Sequence, residues 1–66
     1  MTRLKELRIS RSLRQLDLSI ALVVNQNTIA SIERGHLTAP KKLIEPLCAY
    51  FGVQRDDLFT ENRIAL

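Results

Sequence analysis

The sequence predicts an all-α domain of five short helices, and three observations carry that prediction. Apolar residues recur three or four positions apart in successive segments, the spacing of one helix face: Leu4 and Leu7, then Leu18 and Leu22, then Ile29 and Ile32. No stretch alternates apolar and polar residues over enough positions to make a sheet, although β-branched residues are present. Residues that start or stop helices, among them Thr2, Asn25, Gly35 and Gly52, stand at the edges of the periodic segments.

The first helix is expected over residues 3–10, with the Thr2 hydroxyl accepting an orphan N–H of its first turn. Ser10-Arg11-Ser12 breaks the pattern and reads as a connector. A second helix follows over residues 14–23, with small Ser19 and Ala21 allowing another helix to come close. Val24-Asn25 is a turn, and Asn25 is a strong cap for a third helix over residues 26–34, which Gly35 stops in a left-handed conformation. Residues 36–42 form a loop. The fourth helix holds Leu43, Ile44, Leu47, Cys48 and Phe51 and ends at Gly52. A proline inside a helix costs about 3 kcal/mol and one in the first turn costs little, so Pro46 argues for a start near Leu43. A start at Pro40 with a kink at Pro46 is the alternative. The fifth helix spans residues 55–59, with Asp56 and Asp57 favourable against its N-terminal dipole.

Sixty-six residues make one domain over positions 1–66, with a core at 3–59 and a tail at 60–66. A chain of this size buries only about 60% of its unfolded surface, which argues against a deep catalytic pocket. An apolar content of 45% argues against disorder, and two Gly and two Pro argue against a linker. The one cysteine, Cys48, excludes an internal disulfide and a multi-thiolate zinc site, and fits an inert buried thiol. His36, the only histidine, has no partners for a metal cluster or a nucleophile and reads as loop surface near phosphate. No cofactor, no metal and no enzyme activity are expected. No run is long enough to span a membrane, and no apolar leader opens the chain, so a cytoplasmic location is expected.

The net charge of +3 is unevenly placed. Residues 1–17 carry Arg3, Lys5, Arg8, Arg11 and Arg14 against Glu6 and Asp17, and residues 47–66 are slightly acidic. One end therefore suits a polyanion.

Two helices joined by a short turn, at residues 15–23 and 26–34, form a helix-turn-helix signature. Leu4-Lys5-Glu6-Leu7-Arg8, Leu13, Gln15, Leu18-Ser19 and Leu22 carry a wider pattern. It continues in Asn25-Gln26-Asn27-Thr28-Ile29, Ile32-Glu33-Arg34-Gly35, Phe51-Gly52-Val53 and Asp57-Leu58-Phe59. Over residues 3–59 the chain resembles the phage-repressor/Cro-type (Xre-like) helix-turn-helix family. The resemblance implies a lambda-repressor-like domain whose third helix enters the DNA major groove. It implies that Gln15 bonds a phosphate and buttresses Gln26, that Gln26, Asn27 and Ser31 face base edges, and that Arg8 pairs with Glu33. The chain departs from the family pattern at Val23, where glycine is usual. A β-branched residue at positive φ costs about 1–2 kcal/mol, which argues for another turn conformation there. Leu16 and Ile20 stand where polar residues are usual, and the loop at 36–42 is offset by one residue.

A carboxamide places a donor beside an acceptor, the pattern that adenine offers in the major groove, so Gln26 and Asn27 suit base reading. The plain alternative is a solvent-facing helix start. Phosphate candidates are Arg14, Gln15, Asn25, Thr28, Lys41 and Lys42, with Arg11 equally explained by solvation and Asn25 by capping. Leu16 and Ile20 are either core in an unusually buried helix or a contact with another chain or with the tail. Ile64 and Leu66 either frame a dimer contact with Tyr50, Phe51 or Phe59, or fray.

The expected function is that of a sequence-specific regulator of transcription, a repressor that binds a pseudo-palindromic site on double-stranded DNA as a homodimer. The alternative is an antitoxin-like or accessory protein-interaction module in which DNA binding is secondary. Non-specific nucleoid or RNA binding is a third reading, disfavoured because one Tyr and two Phe make no stacking platform.

Overall fold

Thr2 opens the first helix as its position requires: its Oγ1 accepts the Lys5 N–H at 3.3 Å. The computed structural model describes all residues 1–66, in five helices: α1 (Arg3–Ser10), α2 (Gln15–Leu22), α3 (Gln26–Glu33), α4 (Lys41–Phe51) and α5 (Arg55–Leu58). None is long and apolar enough to cross a membrane.

Four of these helices close with the same device. Ser12, Val23, Gly35 and Gly52 take φ of 57°, 56°, 75° and 69° after α1, α2, α3 and α4. The N–H of the next residue then reaches back to the helix: Leu13 to the Arg8 carbonyl at 3.2 Å, Val24 to Ser19 at 3.0 Å, His36 to Ser31 at 3.3 Å and Val53 to Cys48 at 3.0 Å. This left-handed closure satisfies carbonyls that the helix end would otherwise orphan.

Val23 thus adopts the conformation that its side chain argued against. The two backbone bonds of the closure outweigh the local strain, and with Val23 88% exposed no burial offsets it. Val23→Gly is expected to stabilise the fold by about 0.5–1 kcal/mol, the strain relieved less the entropy that glycine loses on folding. A urea midpoint that falls in this variant would show that the valine is not strained.

The start of α4 also differs from the expected one. The helix begins at Lys41, with Pro40 as its N-cap and Pro46 inside it. Pro40 at φ −57° is already shaped for this junction, and its carbonyl accepts the Leu43 N–H at 3.0 Å to close the first turn. The earlier start lets Leu43 and Ile44 enter the core on one face while Pro46 sits on the exposed face. That burial offsets the backbone bond lost at Pro46.

The core gathers Leu4, Leu18, Ile29, Ile32, Leu43, Leu47, Phe51, Leu58 and Phe59, the inward faces of all five helices and the residue after the last. Cys48 is also buried there, and burial pushes its thiol pKa up, with smaller opposed influences from Asp57 and Arg55. Stability that rests on the protonated thiol is therefore present below the ordinary thiol range and lost as the pH rises through it.

The tail at 60–66 does not fray. Ala65 pairs with Phe59 in an antiparallel bridge and enters the core at 9% exposure. The Leu66 N–H bonds the Leu58 carbonyl at 2.9 Å, and the Leu66 carbonyl accepts the Arg3 N–H at 2.6 Å. Phe59 is only 2% exposed and has no surface to offer a second chain, which removes it from the candidate dimer contacts.

Candidate nucleic-acid interface

The α3 helix has two faces. Ile29 and Ile32 are fully buried, while Gln26, Asn27 and Arg34 are exposed along the outer side, with Ala30 and Ser31 half-buried between them. Asn25 caps the helix, its Oδ1 accepting the Asn27 N–H at 2.8 Å. No acidic residue occupies the first turn, so the positive end of the helix dipole is left unneutralised beside two carboxamides. That is the setting in which neutral hydrogen-bonding side chains approach a polyanion without repulsion. Arg34 was not singled out from the sequence. It lies three positions beyond Ser31, and its Nη2 donates to Ser31 Oγ at 3.3 Å, so a cation borders the same face. The signal was the helical spacing itself.

Three of the phosphate candidates converge. Asn25, Thr28 and Lys42 line an open cleft of about 450 Å3, between the turn that follows α2 and the start of α4. The backbone N–H groups of Lys41 and Lys42 find no partner within the protein, because Pro40 supplies no side-chain cap. Lysines at a helix start oppose the helix dipole, an arrangement unfavourable for the helix alone and favourable around an anion. Lys41 points elsewhere, into a groove that it lines with Glu45, Arg55 and Arg63.

The end of α3 is tied down from below. Arg8 Nε lies 2.6 Å from Glu33 Oε2, and Arg8 Nη2 donates to Oε1 at 3.1 Å. The two side chains are 9% and 1% exposed. Arg8 Nη1 also reaches the Leu13 carbonyl at 2.7 Å, and the Thr2 hydroxyl donates to the Glu33 carbonyl at 2.8 Å. Gln15 joins this network, giving an amide hydrogen to Glu33 Oε1 at 3.1 Å. Its amide therefore faces Glu33 and does not buttress Gln26. The carboxylate is the stronger acceptor, and a charge-assisted bond wins over a neutral one. One ion pair thus joins α1, the start of α2 and the end of α3, and sets the angle at which α3 is presented.

The two arginines weighed for phosphate contact, Arg11 and Arg14, are both engaged within the protein. Arg11 donates Nη2 to the Phe51 carbonyl at 2.8 Å, with its guanidinium carbon 5.2 Å from the Phe51 ring centroid. It caps the negative end of α4, a use of the cation that the sequence did not show. Arg14 holds Asp17 through Nε at 3.2 Å and Nη2 at 2.9 Å on an exposed surface, so a phosphate there competes with a carboxylate. Those bonds hold the Asp17 carboxyl below its ordinary range. What the pair contributes is present above that range and is lost as the pH falls through it.

Leu16, Ile20 and Val23 are 42%, 66% and 88% exposed on the outer side of α2, so α2 is not an unusually buried helix. Tyr50 and Leu66 are each 40% exposed, and Ile64 is half-buried. His36 lies on the surface after α3, beside Thr2, Lys5 and Arg34.

A family model described as a helix-turn-helix domain matches residues 2–59, a span that takes in all five helices and stops short of the tail. No curated protein and no solved structure matches the chain significantly.

Proposed function

This chain belongs to the helix-turn-helix domain family, typical of DNA-binding regulators, and from that premise we propose that it is a sequence-specific transcriptional repressor acting on double-stranded DNA in the cytoplasm. The observation that carries the reading is the exposed, acid-free outer face of α3, with Gln26 and Asn27 beside the cleft that Asn25, Thr28 and Lys42 line. In the proposed mode, α3 lies in the major groove. Gln26, Asn27 and Ser31 meet base edges, while Asn25, Thr28, Lys42 and the free N–H groups at the start of α4 grip the backbone. Gln15 keeps a second amide hydrogen for a phosphate, and Lys41 and Arg14 flank the site.

One module of this size makes few contacts, so the working form is a homodimer on a pseudo-palindrome with half-sites about 34–36 Å apart. A second reading, an accessory or antitoxin-like protein that binds another protein, draws on the exposed Leu16 and Ile20.

Selection of bound fragments from random duplexes, followed by titration of selected and scrambled duplexes at two salt concentrations, tests the proposal. The selected duplex should bind about 10³-fold or more tightly than the scrambled one. Affinity should fall steeply with salt, by about 0.9 in logarithmic slope for each phosphate neutralised. Equal affinities would make the protein a non-specific binder, and no binding at low salt would end the DNA reading. Lys42→Ala should weaken both duplexes alike and reduce the slope by about 0.9. An unchanged slope would take Lys42 off the backbone.

A further inference from the structure

Residues 60–66 lie outside the span that matches the family, yet they reach a segment next to the proposed interface. The tail folds over a tight turn: the Thr60 N–H bonds the Ile64 carbonyl at 2.8 Å and the Arg63 N–H bonds the Thr60 carbonyl at 2.9 Å. At that turn Arg63 takes φ 64°, a left-handed conformation that costs a side-chain-bearing residue and that glycine adopts freely.

From there Arg63 grips Ala39 twice. Its carbonyl accepts the Ala39 N–H at 2.9 Å, and its Nε donates to the Ala39 carbonyl at 2.9 Å. Ala39 is wholly buried, so both of its backbone groups depend on this one residue. Ala39 is followed by Pro40, which caps α4, and then by Lys41 and Lys42. Between His36 and the start of α4, the two bonds to Arg63 are the only hydrogen bonds that tie the connection to the rest of the protein. His36, Leu37 and Thr38 are exposed.

We infer that Arg63 is a positioning residue for DNA binding: by fixing Ala39 it sets the direction in which the start of α4, with Lys42 at the cleft and Lys41 at its flank, meets the DNA backbone. The inference rests on the DNA-binding reading above. It explains why a strained arginine, and not a glycine, stands at the turn, since the guanidinium supplies the second bond to Ala39. Backbone contacts carry no base sequence, so a loosened α4 weakens all duplexes alike.

Arg63→Gly isolates the effect. Glycine keeps the left-handed turn and its carbonyl bond to the Ala39 N–H, and removes the Nε bond together with the guanidinium charge, whose own effect on affinity the triple variant exposes. Affinities for selected and scrambled duplexes are measured on wild type, Arg63→Gly, Lys41→Ala/Lys42→Ala and the triple variant, each shown to be folded by circular dichroism at the assay temperature. Arg63→Gly is expected to bind both duplexes about fivefold more weakly, the scale of restoring freedom to one or two long side chains, with their ratio unchanged. That loss is expected to vanish when both lysines are already alanine. A fivefold loss that persists in the triple variant, with a further fall in salt slope, would mean that Arg63 touches phosphate itself and would overturn the inference. So would a lowered melting temperature with unchanged affinity, the mark of a purely structural contact. A wild-type chain that binds no duplex would overturn both the inference and the reading beneath it, whereas a failure confined to Arg63→Gly would leave that reading standing.

Discussion

Glu33→Ala is expected to remove about 3–5 kcal/mol of folding stability, because it leaves the Arg8 guanidinium buried opposite an empty space. Arg8 is 9% exposed and Glu33 1%, so little water reaches the unpaired charge. A domain of 66 residues holds roughly 3–10 kcal/mol in total, so the variant should be substantially unfolded at physiological temperature. Urea unfolding followed by circular dichroism measures the loss directly. A decrease below about 1 kcal/mol would mean that the pair is effectively solvated. The companion variant Arg8→Met with Glu33→Leu removes both charges together and should recover most of the stability, as apolar replacements of whole buried pairs do. It should not restore DNA binding in full, since Gln15 then loses the acceptor that holds it at the start of α2.

Gln26→Ala has the second large effect, and on a different quantity. Removing a carboxamide that makes a bidentate contact to a base should cost about 1–3 kcal/mol on the selected duplex and little on a scrambled one. Stability should hardly change, because Gln26 is exposed at the first position of α3 and the cap comes from Asn25. Fluorescence titration of both duplexes separates the cases. If the two affinities fall together, Gln26 grips the backbone and the assignment of base reading is lost.

The two variants are expected to divide the molecule into a part that presents α3 and a part of α3 that, in the proposed mode, reads. The Arg8–Glu33 pair carries no contact surface of its own, yet it fixes the end of α3 against α1 and α2, so its loss removes function through the fold. Gln26, exposed and outside the cap, is expected to do little for the fold and to concentrate its effect on discrimination. Lys42 and Arg63 are proposed to fall between these poles, one as a backbone contact and the other as its support.

Much of the architecture was legible in the sequence. The spacing of Ile29 and Ile32, and of Leu43, Leu47 and Phe51, placed the buried faces, because burial demands apolar side chains at the helical period. Thr2, Asn25 and Gly35 marked helix ends because capping chemistry is local. The Arg8–Glu33 pair was reached through the resemblance rather than through spacing, since nothing within 25 positions of chain announces which charges will meet.

What stayed hidden shares one cause. Arg11 looked like a free cation until Phe51, 40 positions away, arrived beneath it. Gln15 turned to Glu33 because packing brought a buried carboxylate within reach. Val23 and Pro46 each break a local rule, at a cost that only closure of the turn after α2 and burial of the α4 face outweigh. The tail seemed superfluous until Ala65 filled the core and Arg63 met Ala39. Residue order alone therefore settled the number and order of the helices, the caps at Thr2, Asn25 and Gly35, and the outward polar face of α3, all consequences of interactions within a turn or two of chain. Tertiary structure alone settled which charges are spent inside the protein and which stay unpaired on its surface, because distant segments compete for the same hydrogen-bonding groups.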